Sequence, residues 1–127
     1  MTFREFLDQV QLIKFEEMRG RTESSLEVVV SRENLGKIVP VLESFFGPAL
    51  KLQGQQPTGE SDRYSKPYGG IRQDQTLYFR KDEKGFVIAM LWPWGSGDSV
   101  TVKILRGHIE ERSEAGKKSF WKTLFFR

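Results

Sequence analysis

The run Gly85-Phe86-Val87-Ile88-Ala89-Met90-Leu91-Trp92 constrains this chain more than any other segment. Both alternations of it are apolar. A strand built from it therefore has no face to turn to water and needs cover above and below. It is far short of the ~20 apolar residues that a membrane-crossing helix requires. Turns bound it on both sides. Asp82-Glu83-Lys84-Gly85 precedes it, with glycine where a positive φ is wanted, and Pro93-Trp94-Gly95-Ser96-Gly97-Asp98 follows. The flanking segments alternate. Gln75–Lys81 sets Leu77 and Phe79 on one side and Tyr78 and Arg80 on the other. Val100, Val102 and Ile104 alternate with Thr101 and Lys103. An antiparallel three-stranded meander is the prediction.

Upstream, Phe3, Phe6, Leu7, Val10, Ile13 and Glu17 or Met18 recur at spacings of three and four, which predicts an amphipathic helix over 3–18. Thr2 caps it, Glu5 completes a capping box, and Gly20 stops it. Arg21–Ser25 reads as a loop and Leu26–Val30 as a β-branched strand. Ser31 then caps a second helix with Leu35, Ile38, Val39, Leu42, Phe45 and Phe46 on one face. Pro40 inside it predicts a kink or two short helices, because its nitrogen has no hydrogen for residue 36. Gly47-Pro48 ends the element. Between residues 51 and 73 no regular period survives, and the stretch reads as a long polar loop.

These elements add up to an α+β fold in two layers: a mostly antiparallel sheet of about four strands, with helices packed on one face. The sheet comprises one strand–helix unit and then the meander. The 127 residues suit a single domain, and a hydrophobic share of 38% suffices for its core. The apolar strand's second face then needs another cover, for which the C-terminal aromatic segment is available in its own subunit or in a neighbour.

Composition excludes several chemistries. Cysteine is absent, which removes disulfides, thiolate nucleophiles and thiolate metal sites, and His108 is the lone histidine. Neither a metal nor a cofactor is expected. The start Met1-Thr2-Phe3-Arg4-Glu5-Phe6 lacks the apolar core of a secretory signal, so the expected compartment is the cytoplasm. The formal charge of +3 is carried by the second half of the chain, an asymmetry that marks either an anionic partner or simply a basic end.

Loops as long as 51–73 are uncommon in small domains unless functional or disordered. This one carries Arg63, Tyr64, Lys66, Tyr68 and Arg72 around Gly69-Gly70. Adjacent glycines allow close backbone approach and aim successive N–H groups at an anion, while the basic side chains supply charge. It reads as a cradle for a small anionic ligand or a peptide. The plainer alternative is a surface loop whose tyrosines pack on the sheet edge. In the hairpin 92–98, Trp92 continues the inward register, whereas Trp94 lies beyond Pro93 as the exposed ring available for stacking.

Lys117, Lys118, Lys122 and Arg127 interleave with Phe120, Trp121, Leu124, Phe125 and Phe126, making 108–127 an extension that ends in an aromatic docking segment and a candidate homodimer contact. The chain therefore reads as a non-catalytic ligand-binding or protein-interaction module. An alternative is single-stranded nucleic-acid binding on a platform of Tyr78, Arg80, Lys103 and Trp94. An acid–base enzyme built on His108 with Glu110 or Asp98, or on Asp62 or Tyr68, comes last, because no nucleophile–base pair is visible in the spacing.

Overall fold

The computed structural model describes residues 1–108. Its elements run α1 (Phe3–Gln11), β1 (Glu17–Arg21), β2 (Ser25–Ser31), α2 (Arg32–Phe46), α3 (Gly59–Ser65), a 3-10 turn (Lys66–Tyr68), β3 (Thr76–Asp82), β4 (Gly85–Pro93) and β5 (Ser99–Gly107). Five strands form one antiparallel sheet in the order β1-β2-β5-β4-β3. The fold is α+β, and β3-β4-β5 is the meander read from the sequence.

The fifth strand comes from a segment assigned to the first helix. Phe3, Phe6, Leu7 and Val10 do line one face of α1, and Thr2 and Glu5 form the capping box. The helix stops at Gln11, however, seven residues before the predicted end. Ile13-Lys14-Phe15-Glu16 alternates at period two as well as fitting a helical stripe, and the extended choice lets the Glu16 N–H donate to the Val29 carbonyl at 2.7 Å. Gly20 is thus no helix stop. It sits in edge strand β1, where the pairing register slips between Met18 and Gly20. A short, charged and bulged edge resists pairing with another sheet.

Pro40 breaks neither α2 nor its packing, and the helix is continuous over 15 residues. Pro40 and Gly36 both face solvent, so the carbonyl that loses its donor reaches water. The buried stripe Ile38, Leu42, Phe45 and Phe46 packs with Phe6 of α1 on one face of the sheet, against Leu26, Val28, Ala89, Val102 and Ile104. The Phe6 and Phe45 rings stack at 4.3 Å. Each fully buried side chain of this size contributes about 2 kcal/mol.

Phe86 to Leu91 are all buried, as a strand apolar on both sides demands. The second cover differs from expectation. Segment 50–71 lies over β3 and β4, with Leu50, Tyr64, Tyr68 and Ile71 packing on Leu77, Phe79, Phe86, Ile88 and Met90. It is not a structureless loop, since α3 and the 3-10 turn lie within it. The C-terminal segment with Phe120, Trp121, Leu124, Phe125 and Phe126 lies outside the described residues.

Candidate ligand-binding site

Thr58 starts α3 by the same device that starts α1. Its hydroxyl accepts from the Ser61 N–H at 3.1 Å, and the Ser61 hydroxyl accepts from the Thr58 N–H at 2.8 Å. Within the seven-residue helix the Ser65 hydroxyl donates to the Ser61 carbonyl at 2.6 Å, in a buried position. This phase turns Tyr64 onto the sheet, its ring 4.3 Å from that of Phe79 and 5.1 Å from that of Phe86. Asp62, Arg63 and Lys66 remain at the surface. Arg63 folds back over the Tyr64 ring at 5.5 Å. The pair braces the helix against the sheet.

The chain then turns through Gly69 (φ 119°) and Gly70 (φ 78°). Gly69 is required twice over, by its positive φ and because a Cβ there would lie 3.0 Å from the Trp92 ring. The two glycine amides do not form an open anion nest as the sequence suggested. The Gly70 N–H donates to the Ser65 carbonyl at 2.9 Å and the Gly69 N–H to the Lys66 carbonyl at 3.4 Å. Any positive charge offered here comes from side chains.

Asp62, Lys66, Gly69, Gly70, Ile71, Arg72 and Gln75 line an open cavity of about 350 Å³ beside this turn. Lys66 and Arg72 flank it from the two limbs of the turn. Among the described residues Lys66 makes no ion pair, and Arg72 meets Asp74 only at 3.8 Å with both side chains largely in water. Two mobile-stemmed cations are thereby free to close on an anion.

Beneath the turn lies a residue that the sequence reading missed. Lys51 is 1% exposed, and its ammonium donates to the carbonyls of Arg72, Gln73 and Gln75 at 2.7, 2.8 and 2.6 Å. Three donors meet three acceptors, so the charged group is fully satisfied. Burial pushes the Lys51 ammonium below the usual lysine value, and nearby Asp74 pulls it part of the way back. The backbone of Lys51 also bridges Leu77 at the β3 edge, which fixes the amine relative to the sheet. Its only sequence signal is a lysine set between Leu50 and Leu52 in a short apolar stretch.

Trp94 stands elsewhere. Its indole N–H donates to the Thr101 hydroxyl at 2.9 Å, Arg19 lies 5.6 Å over its ring, and it is 40% exposed. Trp92 is the tryptophan next to the glycine turn, with the Lys103 ammonium 5.4 Å over its ring. Lys103 also donates to the Tyr68 carbonyl at 3.2 Å, tying the turn to β5. The structure thus gathers Lys66, Gly69, Gly70 and Arg72, sets Tyr64 and Tyr68 against the sheet, and leaves Trp94 on another part of that face.

The nucleic-acid platform does not assemble. Tyr78 is buried on the helix-covered side, 5.7 Å from Phe46, and Arg80 lies 4.4 Å over Phe45 while donating to the Phe45 carbonyl. Lys103 and Trp94 lie on the opposite side of the sheet. Parity separates them, because Tyr78 pairs with Ala89 and Ile104 in the cross-strand row that α2 covers. Burial pushes the Tyr78 hydroxyl above its usual pKa, with Glu43 adding to the effect. His108 is exposed, with Nδ1 3.2 Å from the Lys84 carbonyl, and nine-residue β5 separates it from Asp98. A histidine–aspartate pair between them is ruled out.

Among the described residues no group of three His, Asp or Glu side chains is placed to hold a metal ion, and no helix is long and apolar enough to cross a membrane. Compared with protein-family models, curated proteins and solved structures, the chain has no match.

Proposed function

We propose that the chain is a non-catalytic binding module. It takes the carboxylate or phosphate group of a small ligand or a peptide at the cavity beside the Gly69-Gly70 turn. The observation that carries this reading is the buried Lys51 ammonium under the rim. Burying a cation is unfavourable where its donors go unmet. Three charge-assisted hydrogen bonds instead hold 72–75 in one geometry, the preorganisation that an anion site requires. Lys66 and Arg72 then supply the charge, and Gln75 and the glycine backbone shape the wall.

Native mass spectrometry of the purified full chain tests this reading directly. Retained extra mass on the wild type, absent from a Lys66→Ala/Arg72→Ala variant, supports it. A ligand retained equally by the variant contradicts the assignment of the site. A bare wild-type chain that also ignores phosphate, citrate and acidic peptides contradicts the function.

A further inference from the structure

Every polar group of Gln75 but one has a partner. Its N–H donates to the Arg72 carbonyl at 3.0 Å, and its carbonyl accepts from the Lys51 ammonium at 2.6 Å. Its side-chain Oε1 accepts from the Arg72 N–H at 2.8 Å. That bond fixes which end of the amide is oxygen, because a backbone N–H is met only by an acceptor. Nε2 keeps two hydrogens and no acceptor among the described residues. Gln75 is 6% exposed, yet its amide nitrogen is not sealed from open space as the Trp92 Nε1 is. The opening is the cavity that Gln75 lines. Buried polar groups without a partner are rare in folded proteins. A donor held rigid at a cavity wall therefore calls for an acceptor that arrives with a ligand.

Lys66 and Arg72 add charge to this donor, but the same wall holds Asp62. The Lys66 N–H donates to the Asp62 carbonyl, so the two lie one turn apart on one side of α3, their Cβ atoms about 5–6 Å apart. Even so, among the described residues no ion pair closes between them. The cavity thus offers three donors, two of them charged, and one anionic acceptor a helical turn from a cation. A bare dianion meets Asp62 as a like charge. A carboxylate with an N–H on the neighbouring carbon satisfies all four side chains. We propose that the site takes an α-amino carboxylate, either a free amino acid or the C-terminal residue of a peptide. Its carboxylate lies against Lys66 and Arg72 with Gln75 Nε2 donating to one oxygen, and Asp62 accepts from the N–H on the adjoining carbon. This inference rests on the anion-site reading above and names the ligand class for it.

Titration of the isotope-labelled full chain with glycine, N-acetylglycine, acetate and phosphate, read from the amide shifts of Lys66 to Arg72, tests it. Glycine or N-acetylglycine is expected to half-saturate the site at about threefold lower concentration than acetate, the worth of one solvent-exposed ion pair. Glycine leading assigns the site to a free amino acid, and N-acetylglycine leading assigns it to a peptide C-terminus. Asp62→Ala is expected to abolish the advantage while leaving acetate bound at least as tightly. Gln75→Glu keeps the acceptor for the Arg72 N–H and removes the donor, so it is expected to weaken all four probes about tenfold. Gln73→Glu adds the same charge two residues away, at a side chain turned to the Gly54 carbonyl, and is expected to weaken them less. Equal losses in the two glutamine variants overturn the role of Gln75. Acetate bound as tightly as both amino carboxylates, or an advantage that survives Asp62→Ala, overturns the ligand class and leaves the anion site standing. No saturable shift with any of the four probes overturns both.

Discussion

Replacing Lys51 by methionine isolates what the buried amine does. The apolar stem keeps its packing, the ammonium and its desolvation cost disappear, and three carbonyls lose donors at 2.6–2.8 Å. A buried acceptor left without a partner costs about 1–3 kcal/mol. These three lie under a surface turn where water reaches some of them, so the low end applies and the total is roughly 3 kcal/mol. For a domain of this size that lowers Tm by about 10 °C. Urea unfolding followed by tryptophan fluorescence measures the loss, and hydrogen exchange locates it at 72–75. Its pH dependence carries a second signature. Because burial sets the folded-state pKa below the unfolded value, the unfolded chain holds more protons between the two, and stability rises with pH across that window. Lys51→Met removes this rise. A loss below about 0.5 kcal/mol, the range of ordinary surface substitutions, refutes the peg and the preorganisation built on it.

The two glycines of the turn separate strain from contact. Gly69→Ala combines a positive φ with a clash on Trp92, so it is expected to cost about 2 kcal/mol or more, and Gly70→Ala about 1 kcal/mol from strain alone, both by thermal melting. Burial alone raises the Asp82 carboxyl, but the hydrogen bond from Arg106 and that from the Lys84 N–H outweigh it and hold the group below the usual aspartate value. Its stabilisation is complete above the unfolded value and lost as pH falls through the folded one. Asp82→Asn is therefore expected to cost about 1 kcal/mol at neutral pH and to flatten the acid limb of the stability profile. Tyr78 has the opposite sense, a raised folded-state value whose stabilisation is lost as pH climbs through it. Tyr78→Phe should unfold less readily in alkali than the parent chain, and equal alkaline midpoints would contradict its burial.

The parts of the fold written in local pattern were legible in the sequence. The doubly apolar run at 86–92, the glycine turn before it and the alternation on either side specified the meander, because parity and turn chemistry act over a few residues. Strand β1 was not legible, since Ile13 and Phe15 satisfy a helical and an extended period alike and the choice is made by a distant partner, Val29. The face of Tyr78 was misread for a related reason. Alternation shows that two sides differ, but which side the helices cover depends on the paired strands. At the candidate site the residue types were visible and their division of labour was not. Tyr64 packs half-buried on Phe79 and Phe86, as the plainer reading of the loop had it, Trp92 rather than Trp94 adjoins the glycines, and Lys51 resembled any other surface lysine. A buried amine announces itself only through three carbonyls that are more than twenty positions away in the chain.

The central claim, an anion site at the glycine turn, is most directly tested by titrating the isotope-labelled full chain with inorganic phosphate and with citrate while recording amide shifts. Saturable shifts confined to Lys66, Gly69, Gly70, Ile71 and Arg72, lost in the Lys66→Ala/Arg72→Ala variant, are the result this account predicts. Shifts that are absent, that never saturate, or that persist unchanged in the variant would contradict it.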